Sequence, residues 1–404
     1  MRSVKSLFFL AIAACGFLLG SVGYAQTQGD DTRKKAFQLF NDGKHIEALP
    51  LLEELAGKSP DDREVLAALG LCLVTDAGTQ DDEQTQKKEL MRGRELLLKA
   101  KKLGLKSERV ENVLQTMPED GVIRYADSPA GQAMKAAEAA FARRDFDEAI
   151  KNYSKVLEYE PKNYSAVLYI GDTYYAASNW SKAGEWYQKA IEVDPNRETA
   201  HRYYADMLLK NGDVENSRKR FIEAVVAEPY NPITWRGLQY WARINKLELK
   251  RVHIDVPNTV TRKDDKNINI TIDPSWPEEV SAVWLTYSLA KASWQGDEFK
   301  KHFPQEKQYR HSLAEEADAL STAATVWTEA GESDKKKKKA SSPPKDPNLI
   351  LLLKLYQAKM LEPYVLLNAA DEGIARDYPA YREKNREKLE QYLSEFVVPD
   401  FAHR

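Results

Sequence analysis

The sequence is almost free of cysteine: of its 404 residues, only Cys15 and Cys72 carry a thiol. Cys15 lies in an apolar N-terminal stretch, and the remainder of the chain holds no second cysteine with which Cys72 could form a disulfide. Cys72 stands within LAALGLCLV, where we predict a small buried hydrophobic residue rather than a reactive thiol. Packing and polar contacts must therefore stabilise the fold.

An excess of charge of one sign is also missing. Lysine and arginine number 59 against 62 aspartates and glutamates, which gives a formal net charge of -3. Domains that bind nucleic acid carry a clustered basic footprint, so we predict no nucleic-acid partner. The chain is 43% hydrophobic and 30% charged, which at this length indicates a soluble globular protein of two or three folded units.

Long apolar runs are confined to the N-terminus, and beyond it none reaches the length of a transmembrane helix. Residues 1–25 combine a basic start, the run LFFLAIAACGFLLGSV and a small-residue end, which is the pattern of a signal peptide. We expect cleavage between Ala25 and Gln26, followed by export to the periplasm or secretion. Alternatively, IAAC acts as a lipoprotein box, and acylated Cys15 anchors the chain in the envelope.

Motifs of catalysis and of metal binding are absent. AGKSP at Ala56 resembles the end of a phosphate-binding loop, but Leu52 stands where the first glycine of that loop is required. Neither H-E-x-x-H nor G-x-S-x-G occurs, and the clustered metal-type ligands are restricted to His302, Glu306, His311 and Glu315. We therefore predict no catalytic residue, no metal, no cofactor and no small-molecule ligand.

A repeat of 34 residues is present instead. YSKVLEYEPKN begins at Tyr153, YQKAIEVDPN at Tyr187 and FIEAVVAEPYN at Phe221. Between these segments, apolar or small residues recur at steps of three and four, stop at short polar turns and resume, which predicts a helix, a tight turn and a second helix. A proline closes each unit because its ring cannot continue a helix.

These residues resemble the tetratricopeptide repeat, which has small residues where helices cross, an aromatic residue in its second helix and a terminal proline. Three copies and a capping helix fit residues 130–247, and a diverged pair fits residues 29–117. The resemblance implies an all-α fold in which helix-turn-helix units stack into a superhelix, an α-solenoid with a concave groove.

The resemblance also implies which residues line the groove, since each first helix contributes its outward positions. These are Met134, Glu138 and Phe141; Leu168, Asp172 and Tyr175; Arg202, Asp206 and Leu209; and, on the capping helix, Arg236, Tyr240 and Arg243. Family members that grip a terminal carboxylate carry Lys, Arg and Asn where this chain has Met134, Glu138, Leu168 and Asp172. We therefore expect a peptide or protein partner held by apolar anchors and a few ion pairs.

Residues 250–404 form a predicted helical domain with one β-hairpin. The strict alternation at 252–256 and 268–272 predicts the two paired strands. Helices are expected at 278–296, with Val280, Val283, Trp284, Tyr287, Leu289 and Trp294 largely inward, at 306–330, and from 347 onwards with breaks near Pro363 and Pro379. The Lys- and Pro-rich stretch 333–347 is expected to be a disordered loop.

Together these patterns predict an exported scaffold or assembly factor, not an enzyme. The alternative is an enzyme acting on envelope polymers, whose repeats select the substrate and whose C-terminal domain forms a deep polar pocket around residues 302–316 and Trp294.

The N-terminal pattern gives a direct prediction. Mass spectrometry of the protein isolated from its native cells should find a mature chain that begins at Gln26. A chain that begins with acylated Cys15 would contradict this prediction and establish the lipid anchor.

Overall fold

A computed structural model describes residues 29–78, 80, 82–117, 119–121, 128–263, 268–273, 275–276, 278–336 and 344–399. The predicted signal peptide, with Cys15, Ala25 and Gln26, lies outside these residues. So do residues 337–343 of the predicted Lys- and Pro-rich loop. The structure extends the preceding helix to Lys336, so residues 333–336 are helical rather than part of a loop.

The contacts divide the chain into two compact units, the first ending at Arg220 and the second beginning at Phe221. The helix Val214–Ala227 spans this boundary. We predicted a domain limit after residue 247, whereas the end of the repeat array and its capping helix are grouped with the C-terminal region.

Unit 1 is built of consecutive helices, and those that pair across short turns pack against each other. The N-terminal helices are α1 (Gly29–Asn41), α2 (His45–Lys58), α3 (Arg63–Ala77), α4 (Glu83–Lys102) and α5 (Glu108–Thr116). The helices of the main repeats are α6 (Pro129–Ala142), α7 (Phe146–Tyr159), α8 (Tyr164–Ala176), α9 (Trp180–Val193), α10 (Glu198–Lys210) and α11 (Val214–Ala227). The prediction of helix-turn-helix repeats is confirmed.

The turns within four helix pairs share one backbone conformation. Gly43, Arg144, Ser178 and Gly212 each have a positive φ, of 70°, 62°, 60° and 81°. Arginine and serine rarely enter this left-handed region because their Cβ approaches the backbone. Its recurrence at 144, 178 and 212, each 34 residues after the last, shows that the repeat preserves turn geometry where residue type varies.

Local interactions determine where the helices of the repeats begin and end. Asn163 accepts a hydrogen bond from the Ala166 amide at the start of α8, as an N-cap residue does. The second helices α7 and α9 end at Tyr159 and Val193, two residues before Pro161 and Pro195. The prolines therefore terminate the repeats as predicted.

Glycine allows close packing inside the repeats. A Cβ added at Gly171 would lie 2.8 Å from Cδ1 of Tyr187, whose side chain is 1% exposed. In the N-terminal pair, a Cβ at Gly70 would lie 2.9 Å from the carbonyl oxygen of Gly93, and a Cβ at Gly93 would lie equally close to that of Gly70. In the same pair Cys72 is fully buried, and burial raises the pKa of its thiol to about 12, which confirms the predicted structural role.

Unit 2 is mostly helical with one hairpin. Its elements after α11 are α12 (Pro232–Ile244), β1 (Thr259–Arg262), β2 (Ile268–Thr271), α13 (Glu278–Ser293), a π-helical turn (Trp294–Glu298), α14 (Phe299–His302), α15 (Leu313–Lys336), α16 (Pro347–Gln357), α17 (Leu361–Asn368), α18 (Glu372–Ala375), α19 (Tyr378–Tyr392) and a second π-helical turn (Leu393–Val397).

The hairpin is present, but its first strand is not where we predicted it. β1 and β2 pair antiparallel with Thr259 opposite Thr271 and Arg262 opposite Ile268. The predicted strand 252–256 instead buries Val252 and Ile254 and donates the Ile254 amide to the Tyr364 hydroxyl at 3.0 Å. The alternating pattern at 252–256 therefore belongs to an extended chain whose apolar side packs on helices. The hairpin is formed by the residues next to the short connection, 259–262 and 268–271.

Two further predictions for unit 2 need correction, and the predicted helix breaks near Pro363 and Pro379 are present. Helix α15 begins at Leu313, not at residue 306, because Ser312 caps it by accepting a hydrogen bond from the Glu315 amide. Leu289 is 54% exposed, although the other five apolar side chains predicted for α13 and the turn after it are buried. Pro363 and Pro379 lie in the first turns of α17 and α19, where proline is tolerated, so the helix breaks precede them.

No helix within the described residues is both long and apolar enough to cross a membrane.

The contact at Gly171 can be tested by substitution. Gly171→Ala should lower the free energy of unfolding by about 1–3 kcal/mol, because the new methyl group forces the Tyr187 ring to move. Gly57 is a control, since a Cβ added there meets nothing within 4 Å in helix α2, and Gly57→Ala should stabilise by about 0.5–1 kcal/mol. Urea denaturation followed by circular dichroism measures both. Equal effects of the two substitutions would refute the packing role.

Candidate functional site

The twelve predicted groove residues differ in exposure. Five of them are buried within the folded chain and do not offer a free surface: Met134, Glu138, Phe141, Leu168 and Asp172. In unit 2, Arg236 and Arg243 are exposed on α12 and Tyr240 is half-buried. In unit 1, the half-buried residues Tyr175, Arg202, Asp206 and Leu209 remain, and we call these four the first-helix surface. The burial of the other five corrects that part of the prediction.

An acidic residue recurs at one repeat position, as Glu138, Asp172 and Asp206, at intervals of 34. Asp172 is 2% exposed, and its Oδ1 accepts a hydrogen bond from the Tyr187 hydroxyl at 2.7 Å. Burial raises the pKa of Asp172 to about 8, although the Tyr187 bond and the charge of Arg202 act in the opposite direction. Asp172 is therefore an acid held neutral inside the repeat.

The half-buried Asp206 behaves similarly but less strongly. Burial raises the pKa of Asp206 to about 6, with Arg202 lowering it and Glu198 raising it. Arg202 itself is engaged by Glu198, with Nε to Oε2 at 2.7 Å and both side chains nearly covered. The ion pair with Glu198 thus holds the positive charge of Arg202 near Asp172 and Asp206.

A cluster of aromatic rings and one cation lies at the edge of the first-helix surface. The rings of Tyr175 and Trp180 meet edge to face with centroids 5.1 Å apart. The exposed Lys210 places its Nζ 5.2 Å from both ring centroids. We call these three residues the aromatic–lysine cluster, and partly exposed tyrosine and tryptophan are the side chains that most often anchor a partner.

The sequence analysis identified Tyr175 but missed Trp180 and Lys210. These two residues stand at helix ends, outside the first-helix positions that the resemblance implied. The signal available was the 34-residue register, which places Lys210 one residue after the repeat equivalent of Tyr175.

The converging polar side chains that the enzyme alternative requires are present, but they pack against one another. Lys291 Nζ lies 2.9 Å from both Glu315 Oε1 and Glu316 Oε2 and also contacts His311. Glu315 is fully buried, and Lys291 and Glu316 are each 8% exposed. These side chains form a largely buried ion network.

Groups of opposite charge adjoin one another within that network. Burial lowers the pKa of His311, but hydrogen bonds to Glu316 and Asp371 outweigh this effect and the pKa is raised. When His311 is protonated, it donates from Nε2 to Glu316 Oε2 and from Nδ1 to Asp371 Oδ2, each at 2.8 Å. Burial opposes the ionisation of Glu316, yet His311 and Lys291 lower its pKa to about 2. The network joins α13 and α15 to the start of α18.

The four potential metal ligands predicted from the sequence contact different partners. Glu306 pairs with Arg310, while Glu315 accepts from Tyr309 as well as from Lys291. His302 stacks on Trp294 with ring centroids 4.4 Å apart. Among the residues that the structure describes, no group of three or more His, Cys, Asp or Glu side chains is arranged to hold a metal ion.

Comparison with known proteins identifies the repeats. Residues 134–198 match the family model described as tetratricopeptide repeat. No curated protein matches the chain.

Several solved structures are similar, with low scores. MamA from Desulfovibrio magneticus RS-1 is 18% identical, with 51% of this chain and 99% of that chain covered and a TM-score of 0.25. A tetratricopeptide repeat protein from Parabacteroides merdae ATCC 43184 is 14% identical, with 81% and 98% covered and a TM-score of 0.26. Yeast Tom70 is 12% identical, with 87% and 72% covered and a TM-score of 0.24. At these scores the structural matches carry no functional argument.

The neutral state of Asp172 predicts a pH dependence of stability. An unfolded aspartate has a pKa near 4, so between about pH 4 and 8 the unfolded chain releases a proton that the folded chain retains. The stability of the wild-type protein should therefore fall as pH rises through this window, by up to about 1.4 kcal/mol per pH unit.

Asp172→Asn has no proton to release, and it should abolish this part of the slope. Urea denaturation at pH 5, 6, 7 and 8 measures the difference between variant and wild type, in which the other titrating groups cancel. The exposed Asp147→Asn is the control and should leave the slope unchanged. Parallel curves for wild type and Asp172→Asn would show that Asp172 is already ionised in the fold.

Proposed function

We propose that this chain is a scaffold or assembly factor that binds a peptide or protein partner on the first-helix surface, because it carries helical repeats of which residues 134–198 match the tetratricopeptide repeat model. The observation that carries this proposal is the aromatic–lysine cluster of Tyr175, Trp180 and Lys210, which brings together three consecutive helices of the repeats.

Packing within the repeats explains why this surface is available. A helix pair buries its inner face against its neighbours, and the buried side chains of Tyr153, Tyr169 and Tyr187 belong to such faces. The outer positions are left to solvent or to a partner. Tyr175 and Leu209 supply apolar contact area, while Asp206 and Lys210 supply charges of both signs. Such a mixed surface suits a segment held by apolar anchors and a few ion pairs.

We further propose that the protein works outside the cytoplasm, in the periplasm or as a secreted protein. The support is the signal-peptide pattern of residues 1–25. A chain with a single, buried cysteine after cleavage has no exposed thiol to oxidise at such a destination. The alternative is that acylated Cys15 anchors the protein in the envelope.

The first-helix surface can be tested with a matched pair of tyrosines. Tyr175→Ala should weaken partner binding at least about tenfold, because it removes a large anchor from the aromatic–lysine cluster. Tyr159 is the control, since it is 58% exposed on a second helix, so Tyr159→Ala should bind as wild type does. Tyr175→Phe keeps the ring and should retain most of the affinity.

Partners are first identified by crosslinking in the native cell and then titrated in purified form against each variant. Circular dichroism checks that every variant is folded. If Tyr175→Ala and Tyr159→Ala bind the purified partner equally, the surface is assigned wrongly.

A further inference from the structure

A cleft in unit 2 runs along α12 and the chain that follows it. Its wider part, about 600 Å³, is lined by the end of α12 and residues 246–249. Its narrower part, about 360 Å³, continues past Trp235 and along residues 249–253. The two parts share Gln239 and Leu249 and therefore adjoin, and we call them together the α12 cleft.

Hydrogen bonds hold the walls of the α12 cleft in place. Lys246 adopts a φ of 56° and ends α12, with its amide donating to the Arg243 carbonyl at 3.0 Å. Trp235 is fixed on one wall because its Nε1 donates to the Pro229 carbonyl at 2.8 Å. On the other wall, the Lys250 amide donates to the Val397 carbonyl at 2.8 Å. A ligand would therefore meet a preformed site.

The cleft is cationic. Arg243, Lys246, Lys250 and Arg251 line it, and all four side chains are exposed. No carboxylate pairs with any of them in the part of the chain that the structure describes, and Glu248 is the acidic residue that lines the cleft. Since the whole chain has a formal net charge of -3, this concentration of unpaired cations is local. It complements an anionic ligand.

Residues 250–255 also present a backbone edge that is free at residues 251 and 253. Burial alternates along them, with Val252 and Ile254 inside and Arg251 and His253 exposed, which is the pattern of an extended chain. The amides of Lys250 and Ile254 are engaged, by Val397 and Tyr364, and on the other edge the Asp255 amide donates to Asn348 Oδ1 at 2.9 Å. Alternate amides of an extended chain point to opposite edges, and within the described residues those of Arg251 and His253 donate to no group. An unpaired edge of this kind can accept another strand.

We propose that the α12 cleft binds an extended, acidic segment of a partner protein. Its carboxylates pair with Arg243, Lys246, Lys250 and Arg251, and its backbone pairs with residues 251 and 253. The free backbone edge favours a polypeptide over a nucleic acid or a lipid surface, neither of which supplies alternating amides and carbonyls. This site is formed by different residues from the first-helix surface and does not depend on the function proposed for it.

The binding test uses the full chain and a fluorescein-labelled decapeptide of alternating threonine and glutamate, with fluorescence anisotropy as the readout. The same peptide with glutamine in place of glutamate should bind at least about tenfold more weakly, since a hydrogen bond to a charged group is stronger than one between neutral groups. Arg243→Glu together with Arg251→Glu should reduce the affinity for the glutamate peptide by at least about tenfold per reversed cation.

The matched control is Lys300→Glu together with Lys384→Glu, which changes the net charge equally at two exposed lysines elsewhere in unit 2. This double variant should bind the glutamate peptide within about twofold of wild type. An equal loss in both double variants would overturn the proposal, because the attraction would then depend on overall charge rather than on the α12 cleft. Circular dichroism verifies the fold of each variant.

Backbone pairing has its own test. Two further glutamate peptides carry N-methyl groups, one on every threonine amide and the other on every glutamate amide. Only one edge of an added strand faces residues 251 and 253, so one methylated peptide should lose binding and the other should retain it. Equal binding of both would refute strand pairing.

Competing ligands complete the design. A ten-nucleotide single-stranded DNA or a vesicle with anionic lipids that binds the cleft more tightly than the peptide, and that loses binding in the Arg243 and Arg251 variant, would overturn the assignment to a polypeptide. Tyr175→Ala should leave binding of the glutamate peptide unchanged, so a failure of either site can be told from a failure of the other.

Discussion

The repeats depend on one constraint: a helix with a single apolar face cannot bury that face alone. Each pair in unit 1 meets the constraint by close packing, which the chain permits by placing glycine or alanine where helices cross. Gly171 lies under the Tyr187 ring, and Gly70 faces Gly93 across α3 and α4. Once the inner faces are satisfied in this way, the outer positions of the first helices are left for another task, and the aromatic–lysine cluster occupies one edge of that surface.

Burial also determines where charge can act. In unit 1 it holds Asp172 neutral, with a pKa of about 8, whereas in unit 2 a carboxylate of similar burial, Glu316, has a pKa of about 2. The difference lies in the partners, since Asp172 has a tyrosine hydroxyl and Glu316 has an imidazolium and an ammonium group. A buried acid unpaired with a cation keeps its proton, and a paired one loses it. The α12 cleft differs from both sites, because it is lined by exposed cations that have no carboxylate partner within the described residues.

Local patterns predicted much of the fold and less of the candidate sites. Helix periodicity and the prolines at 161, 195 and 229 predicted the helix pairs because each acts within a few residues of chain. The 34-residue interval then showed that these pairs repeat. Hairpin position failed, since alternation at 252–256 is equally compatible with a strand partner and with helices beneath an extended chain. Arg144 and Ser178 adopt a left-handed conformation that neither residue type signals.

The sequence by itself determined that this is a chain of paired helices, because apolar spacing, caps and prolines are local properties with local physical causes. Only the tertiary structure decided which polar groups are usable. It buried Glu138 and Asp172, joined Lys291 and His311 in an ion network, and left Arg243 and Arg251 without a carboxylate partner in the described ranges of the chain. Solvation and pairing depend on neighbours far apart in the chain, and folding alone brings those neighbours together.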